Sequence, residues 1–378
     1  MNVIMIGTDR KIFENGSTVR LRMADYGKIC DELHIIVFSR GSQKYVSQQI
    51  AQNVWIYPTE SLSPLTYISR AVRLVKKIMS DRQFDPWSTV ISCQDPFETG
   101  LAGLRLKKQL GLKLHIQIHT DFLSPHFRSN FLNWIRVRIA KKILPQADAI
   151  RVVSKRIRHS LSIFSLLAEK IDVLPIYTDP HVFSQEPAKS LTDTYPQFNF
   201  IILIASRLTK EKDLKTALEA FQSVVGQYPK TGLVIVGDGP QKLALQRWVS
   251  KRGLEKSVVF EPWQKDLSAY FKTCSAFLLT SRYEGYGLTL AEAGLAGAAI
   301  VTTDVGIVGE ILQNKKNALV CPVGDSHCLT KHLSELIRNN GLRLQLKTAV
   351  VEDMRQAIIP DHEMYLKLYK QSLQKALV

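Results

Sequence analysis

Residues 281–300 (SRYEGYGLTLAEAGLAGAAI) hold the pattern with the clearest chemical content in this chain. Two carboxylates, Glu284 and Glu292, are eight positions apart, and between them Gly285, Tyr286 and Gly287 lead into Leu288. Leu288, Leu290, Ala291, Leu295 and Ala298 repeat at helical spacing, so the glycines sit at the mouth of a helix. The first N–H groups of a helix lack internal partners, and the helix dipole makes them a natural anion site. At ~1.5 Å per residue the two carboxylates are separated by roughly 8 Å along the axis. Acceptor-only carboxylates flanking an anion site suit a ligand with hydroxyls on both sides of a phosphate, such as a nucleotide sugar. A Gly-rich strand-to-helix turn with an ordinary surface Glu accounts for the same spacing.

Other strand ends carry further candidates. Arg207 and Lys212, in ASRLTKEKD, follow an apolar run ending in small residues. There an Arg fork and a Lys point charge could hold a phosphate, or form a solvated basic loop. Val236 to Pro240 (VGDGP) ends another run, and Gly237 reads first as a structural turn; Pro240 and Lys242 break any dinucleotide fingerprint. His115 and His119 lie on one face of the run LHIQIH, His115 within the core and His119 at the strand end, where Asp121 could orient it. Asp95 and Pro96 fit a helix start that lines a ligand site. Gly16, after the first apolar run, allows close backbone approach or a plain turn.

The 378 residues are 45% hydrophobic and 22% charged, a globular composition long enough for two domains. No apolar run is long enough to span a membrane, and the apolar start (MNVIMIG) meets Asp9, Arg10 and Lys11 too soon for a signal peptide. Five scattered cysteines without a C-x-x-C argue against a disulfide framework or a zinc site, and for a reducing compartment. The net charge of +16 is uneven: residues 1–180 hold 26 Lys and Arg against 15 Asp and Glu. That bias suits a polyanionic neighbour, either nucleic acid or an anionic membrane. Residues 127–142 (FRSNFLNWIRVRIAKK) interleave aromatics with bases, as a membrane-facing helix does or as a core-facing helix with a solvated basic side.

These residues must be positioned by alternating elements. Short β-rich runs alternate with helical stretches through residue 180, and the alternation restarts at residue 199, predicting two α/β units with parallel sheets. Helices are expected over 308–313 and 328–339, among others. Pro180, Pro187 and Pro196 among polar residues mark 181–198 as a linker. The domains are then 1–180 and 199–357, with a closing segment 358–378 that contains a final helix.

The string EGYGLTLAEA at 284–293 resembles the E-x7-E motif of retaining glycosyltransferases of the family 4 type, and SRLTKEK resembles that family's phosphate-clamp signature. The resemblance covers most of the chain and is strongest over 200–323. It implies the GT-B fold, with two Rossmann-like domains facing each other across a cleft and the final helix crossing back to the first. It assigns Glu284 to the donor sugar, Glu292 to the ribose, Arg207 and Lys212 to the diphosphate, and His119 to the reacting sugar. Gly285, Tyr286, Gly287, Leu288, Gly16 and Gly237 would lie along the donor, Trp263 by the nucleotide base, and Asp95 and Asp121 toward the acceptor. Two departures stand out: Asp213 replaces a usual Gly, and Glu261-Pro262 stand where Gly is common, which leaves the base open.

The reading that follows is a cytoplasmic, metal-independent, retaining hexosyltransferase without cofactor. It would use a nucleotide-sugar donor and a glycan or lipid-linked acceptor in envelope polysaccharide or glycolipid synthesis. It would associate peripherally with the inner face of an anionic plasma membrane and bind no nucleic acid. A nucleotide-sugar epimerase of the same fold would convert donor without acceptor. A basic nucleic-acid or membrane-surface module would bind without nucleotide-sugar affinity.

Overall fold

The computed structural model describes residues 1–164, 168–187 and 190–378. Its contacts divide the chain into one unit of Met1–Pro175 with Glu363–Val378, and a second of Ile176–His362. Residues 181–198, expected as a linker, fall within the second unit where described; residues 188–189 lie outside the described ones.

The first unit is built on an eight-stranded sheet of order β3-β4-β2-β1-β5-β6-β7-β8. The strands are β1 (Asn2–Gly7), β2 (Leu33–Val37), β3 (Gln48–Ala51), β4 (Val54–Pro58), β5 (Thr89–Cys93), β6 (Lys113–Ile118), β7 (Ala149–Val152) and β8 (Ile171–Val173). All pair in parallel except the β3–β4 edge. Helices α1 (Thr18–Tyr26), α2 (Tyr67–Asp81), α3 (Glu98–Leu110), α4 (Phe131–Ile143) and α5 (Lys155–Ser160) connect them. Strands such as β2 and β5 are buried at every residue, which explains their continuous apolar runs.

The first α-helix of the second unit is α6 (Leu191–Thr194), and the unit's six-stranded sheet has the order β11-β10-β9-β12-β13-β14. Its strands are β9 (Phe200–Ala205), β10 (Thr231–Val236), β11 (Val258–Glu261), β12 (Ala276–Leu279), β13 (Ile300–Thr303) and β14 (Leu319–Cys321), all parallel. The helices are α7 (Leu214–Gln227), α8 (Lys242–Ser250), α9 (Ser268–Thr273), α10 (Leu288–Leu295), α11 (Ser326–Arg338) and α12 (Asn340–Ala357). Helix α13 (His362–Gln374) then returns the chain to the first unit.

That return is held by buried polar groups. The Arg151 guanidinium, 2% exposed, donates to Gln117 Oε1, to the Leu174 and Pro175 carbonyls and to the Tyr365 hydroxyl. Gln117 in turn donates to Ser92 and to Tyr369 on α13, while His115 bridges Ser92 and Ser372. Burial and Arg151 push the His115 imidazole down to about 3, so it works here as a neutral core hydrogen-bonding group. A buried cation is tolerable only when its donors are satisfied in this way.

Four expectations are corrected. Residues 308–313 are not a helix: they turn tightly, with Gly309 at φ +81° and a bridge between Val308 and Leu312. Strand β3 and the 18-residue α12 were not anticipated; β3 is a four-residue polar edge, and α12 buries only Leu346, Val350 and Met354. Cys321 and Cys328, expected as separate thiols, are joined in a disulfide. Cys321 ends β14 and Cys328 lies in the first turn of α11; a return through Gly324 (φ +83°) brings their Cα atoms to 5.8 Å. Cys30, Cys93 and Cys274 are free thiols, so this is one local bridge rather than a framework.

Candidate functional site

In an open parallel sheet, ligands bind beyond the carboxyl ends of the strands where the strand order reverses. In the second unit that point lies between β9 and β12, which are neighbours in the sheet but not in sequence. The loop after β9 carries Arg207 and Lys212; the loop after β12 carries Ser281, Arg282, Glu284 and the glycines. Sheet topology thus brings together two stretches about 70 residues apart.

The two loops are joined by ionic and hydrogen bonds. Lys212 Nζ lies 2.5 Å from Glu284 Oε1, with the two side chains 15% and 14% exposed. Ser281 Oγ donates to the same carboxylate oxygen at 2.7 Å. Below them, the Arg282 fork grips both oxygens of Asp213 at 3.1 and 3.2 Å, the Thr280 hydroxyl donates to the Lys212 carbonyl, and the Arg282 amide donates to the Glu211 carbonyl. Asp213 sits at φ +48° immediately before α7, the left-handed geometry that explains why glycine is usual there. Asp tolerates that region better than most residues and here also gains a bidentate partner.

Arg207 is different. Its side chain is 69% exposed and only 3.5 Å from Glu211, so the fork stands at the mouth of the loop. Gly237 fixes the loop's path: a Cβ there would lie 2.0 Å from the Ser206 carbonyl oxygen, at φ +144°. The Leu208 amide donates to the Asp238 carbonyl alongside. Gly237 therefore acts structurally, by letting one loop cross another.

Gly287, at φ +84°, is the N-cap of α10, three residues after Glu284. Tyr286 is buried, and its carbonyl accepts from Ile307, next to Gly306, whose missing Cβ leaves room for that carbonyl. Glu292 lies within α10 and is largely buried, and burial alone pushes its carboxyl up to about 7. Trp263, after β11, is 56% exposed. Glu261, the unusual residue before it, accepts hydrogen bonds from the Tyr195 and Tyr270 hydroxyls.

The first unit carries its own candidates. His119 follows β6; burial, Arg151 and Arg22 push its imidazole down to about 3, leaving it neutral at physiological pH. Asp121 has a buried Oδ1 with no hydrogen-bond partner among the described residues, and burial raises its pKa against the pull of Arg156. Asp95 accepts from the Phe97 and Thr99 amides, so it caps α3 as well as facing the strand end, and burial raises it to about 6. Gly16 is in the left-handed region (φ +73°) with open space around it. Sequence reasoning missed Ser281, which bonds Glu284 within its own loop, and also Thr280 and the Arg282–Asp213 pair, whose partners are distant in the chain.

Two parallel-sheet α/β units with charged loops at the strand ends are the architecture of a glycosyltransferase. The chain matches the model of Glycosyltransferase Family 4 over residues 30–181 and that of Glycosyl transferases group 1 over residues 194–352. It belongs to the family 4-type glycosyltransferases and has the GT-B fold. It is 23% identical to alpha-monoglucosyldiacylglycerol synthase of Acholeplasma laidlawii, over 75% of this chain and 74% of that one. It is 25% identical to N-acetyl-alpha-D-glucosaminyl L-malate synthase of Bacillus anthracis, over 58% of this chain and 59% of that one. Among solved structures it resembles Anabaena HepE in complex with UDP-glucose, with a TM-score of 0.79, 19% identity and 99% of each chain covered.

The raised Glu292 carboxyl gives a signed prediction. A folded-state pKa of about 7, above the usual carboxylate range, means the ionised form is penalised in the fold. The penalty is absent below the usual carboxylate range and grows until pH exceeds about 7. Glu292→Gln is therefore expected to melt at higher temperature than the parent at pH 8, with the difference vanishing toward pH 4. Thermal melts of the ligand-free proteins across that range check it; a pH-independent difference would contradict it.

Proposed function

We propose that this glycosyltransferase is retaining and metal-independent, and that it moves a hexose-type sugar from a nucleotide-sugar donor to a glycan or lipid-linked acceptor. The observation that carries this reading is the Lys212–Glu284 pair at the switch point of the second sheet, with the exposed Arg207 fork at the same strand end. An ammonium has three donors, so Lys212 can keep Glu284 and still take a phosphate oxygen. With Arg207 and the mouth of α10 it would supply, in place of a metal ion, the positive field that stabilises the departing diphosphate.

In this mechanism the acceptor oxygen bonds to the anomeric carbon on the face the diphosphate leaves. The carbon–oxygen bond to the diphosphate breaks, and the acceptor proton passes to a phosphate oxygen. Glu284 orients the sugar hydroxyls and Glu292 accepts from the ribose. We assign His119 to holding the sugar: a neutral imidazole can exchange hydrogen bonds with hydroxyls but is a poor general acid at pH 7. Gly285, Tyr286, Gly287 and Leu288 would line the donor, Gly16 would approach its phosphates, Trp263 would approach the base, and Asp95 and Asp121 would serve the acceptor.

The relatives support an acceptor in lipid or envelope chemistry, since one is named a monoglucosyldiacylglycerol synthase. Among the described residues no helix is long and apolar enough to cross a membrane. On α4, however, Phe131 and Trp134 are exposed and stacked, and the Arg138 guanidinium lies 4.4 Å from the Trp134 ring centre. Lys141 continues that face, whereas Val137, Ala140 and Ile143 face the core. Aromatics beside bases on one exposed face suit peripheral contact with an anionic membrane on the cytoplasmic side.

Two experiments test these readings. One donor from a panel of UDP-, GDP- and ADP-sugars is expected to release nucleotide in EDTA, faster with a membrane-lipid extract, and Arg207→Ala should lower kcat roughly 10²–10³-fold. Donor conversion without nucleotide release would indicate an epimerase, and rescue of an EDTA-silenced reaction by magnesium would remove metal independence. For the membrane, Phe131→Ala/Trp134→Ala and Arg138→Glu/Lys141→Glu should each lose binding to phosphatidylglycerol vesicles, while binding unchanged in both would exclude α4. Arg136 is not used because it is engaged by Glu98.

A further inference from the structure

At the far edge of the second sheet, three side chains that take no part in the donor loops converge. One ligand atom each from Cys321, Cys328 and His332 lies within 4.8 Å of the others. The fold sets this up from two elements. Cys321 is the last residue of the edge strand β14 and is buried. Cys328 and His332 are four positions apart on α11, which puts them on one face of the helix, one turn apart. Asp325 caps α11 by accepting from the Cys328 amide at 2.8 Å, which fixes the helix start and the height of Cys328 over the strand end. The Asp304 amide donates to the Cys321 carbonyl at 2.9 Å, which fixes the other side.

This group has the chemistry of a soft-cation site. Two thiolates and one imidazole are the ligand types that select zinc over magnesium or calcium. Cys328 is half-buried and Cys321 buried, so a fourth position toward Cys328 would be open to water. Glu335 Oε2 lies 3.5 Å from His332 Nδ1, one helical turn on, where a carboxylate can orient a ligating imidazole. The helix carrying two of the ligands is rigid: Leu329, Leu333 and Leu336 on its inner face are fully buried.

We propose that Cys321, Cys328 and His332 form a second site that takes a zinc-class divalent cation when the two thiols are reduced, and closes as the observed disulfide when they are oxidised. The two states exclude each other, because a sulfur in the disulfide has no thiolate to give. Opening needs a two-electron reductant, either a dithiol or a phosphine with water: the protein disulfide gains two electrons and two protons, and the reductant leaves as its own disulfide or as the phosphine oxide. Metal binding then displaces the two thiol protons. The site is thereby redox-gated, and its occupancy does not depend on the donor loops.

The test uses the full chain, purified with a non-thiol phosphine reductant, equilibrated with zinc chloride and desalted into metal-free buffer. Bound metal is counted by mass spectrometry. About one zinc per chain is expected for the reduced protein. Oxidation with a glutathione-type disulfide beforehand should abolish it. Cys328→Ser should abolish retention, and His332→Gln should weaken it at least tenfold by competition with a chromophoric chelator. Because Cys328 is half-buried and His332 lies on the helix, circular dichroism should show both variants folded. Cobalt in place of zinc should give thiolate-to-cobalt charge-transfer absorption that disappears in Cys328→Ser. Zinc retention no greater in the reduced parent than in Cys328→Ser, or retention unaffected by oxidation, would overturn the proposal. Neither result bears on sugar transfer, so failure here is separate from failure of the functional reading.

Discussion

The ion pair between Lys212 and Glu284 is the contact on which the proposed chemistry of the second unit depends. Each side chain is held among neighbours that leave little freedom: Ser281 donates to the same carboxylate oxygen, and the Lys212 and Asp213 carbonyls both accept from the Thr280 hydroxyl. A lysine placed alone at a strand end would sweep through solvent. A glutamate placed alone would be repelled by the diphosphate proposed to bind beside it. Together each keeps the other in place, and the ammonium retains donors for a phosphate. The pair is mostly desolvated, so its attraction is stronger than that of a surface pair, and removing one partner leaves the other uncompensated.

Everything around the pair is arranged to place two distant loops side by side. The switch of strand order between β9 and β12 does most of it. Gly237 and Gly306 then remove the side chains that would keep neighbouring loops apart, and Asp213 adopts a left-handed backbone that starts α7 in the right direction. The first unit is stabilised differently. There the buried Arg151 guanidinium, Gln117 and His115 of β6, and Tyr365, Tyr369 and Ser372 of α13 form a polar core that fastens the end of the chain to the sheet.

Much of this was legible in the sequence, for physical reasons. Strands buried on both faces must be continuously apolar, so β1, β2, β9 and β10 stood out, and the glycines at 285 and 287 marked the mouth of α10. The donor candidates were readable because EGYGLTLAEA and SRLTKEK resemble the family's strings; their residue types alone fit an ordinary turn and a solvated basic loop as well. What could not be read was pairing across long separations. Lys212 to Glu284, Thr280 to Lys212 and Arg282 to Asp213 are decided by the sheet order, which no local pattern encodes. The turn at 308–313 has helical composition but is broken by Gly309 and a following left-handed Lys315. Helix α12 carries only a thin apolar stripe, and the bridge from Cys321 to Cys328 depends on a return whose shape is set at Gly324.

The central claim is that Lys212 serves a diphosphate and that Glu284 holds it there. A double-mutant cycle of Lys212→Ala and Glu284→Ala, read by calorimetric affinity for whichever of UDP, GDP and ADP the parent binds, at constant salt, tests it most directly. The account predicts that each single change weakens binding of that diphosphate and that the double variant is little worse than Lys212→Ala, a coupling of about 1–3 kcal/mol. Losses that simply add, or a Lys212→Ala variant that binds the diphosphate as the parent does, would contradict it.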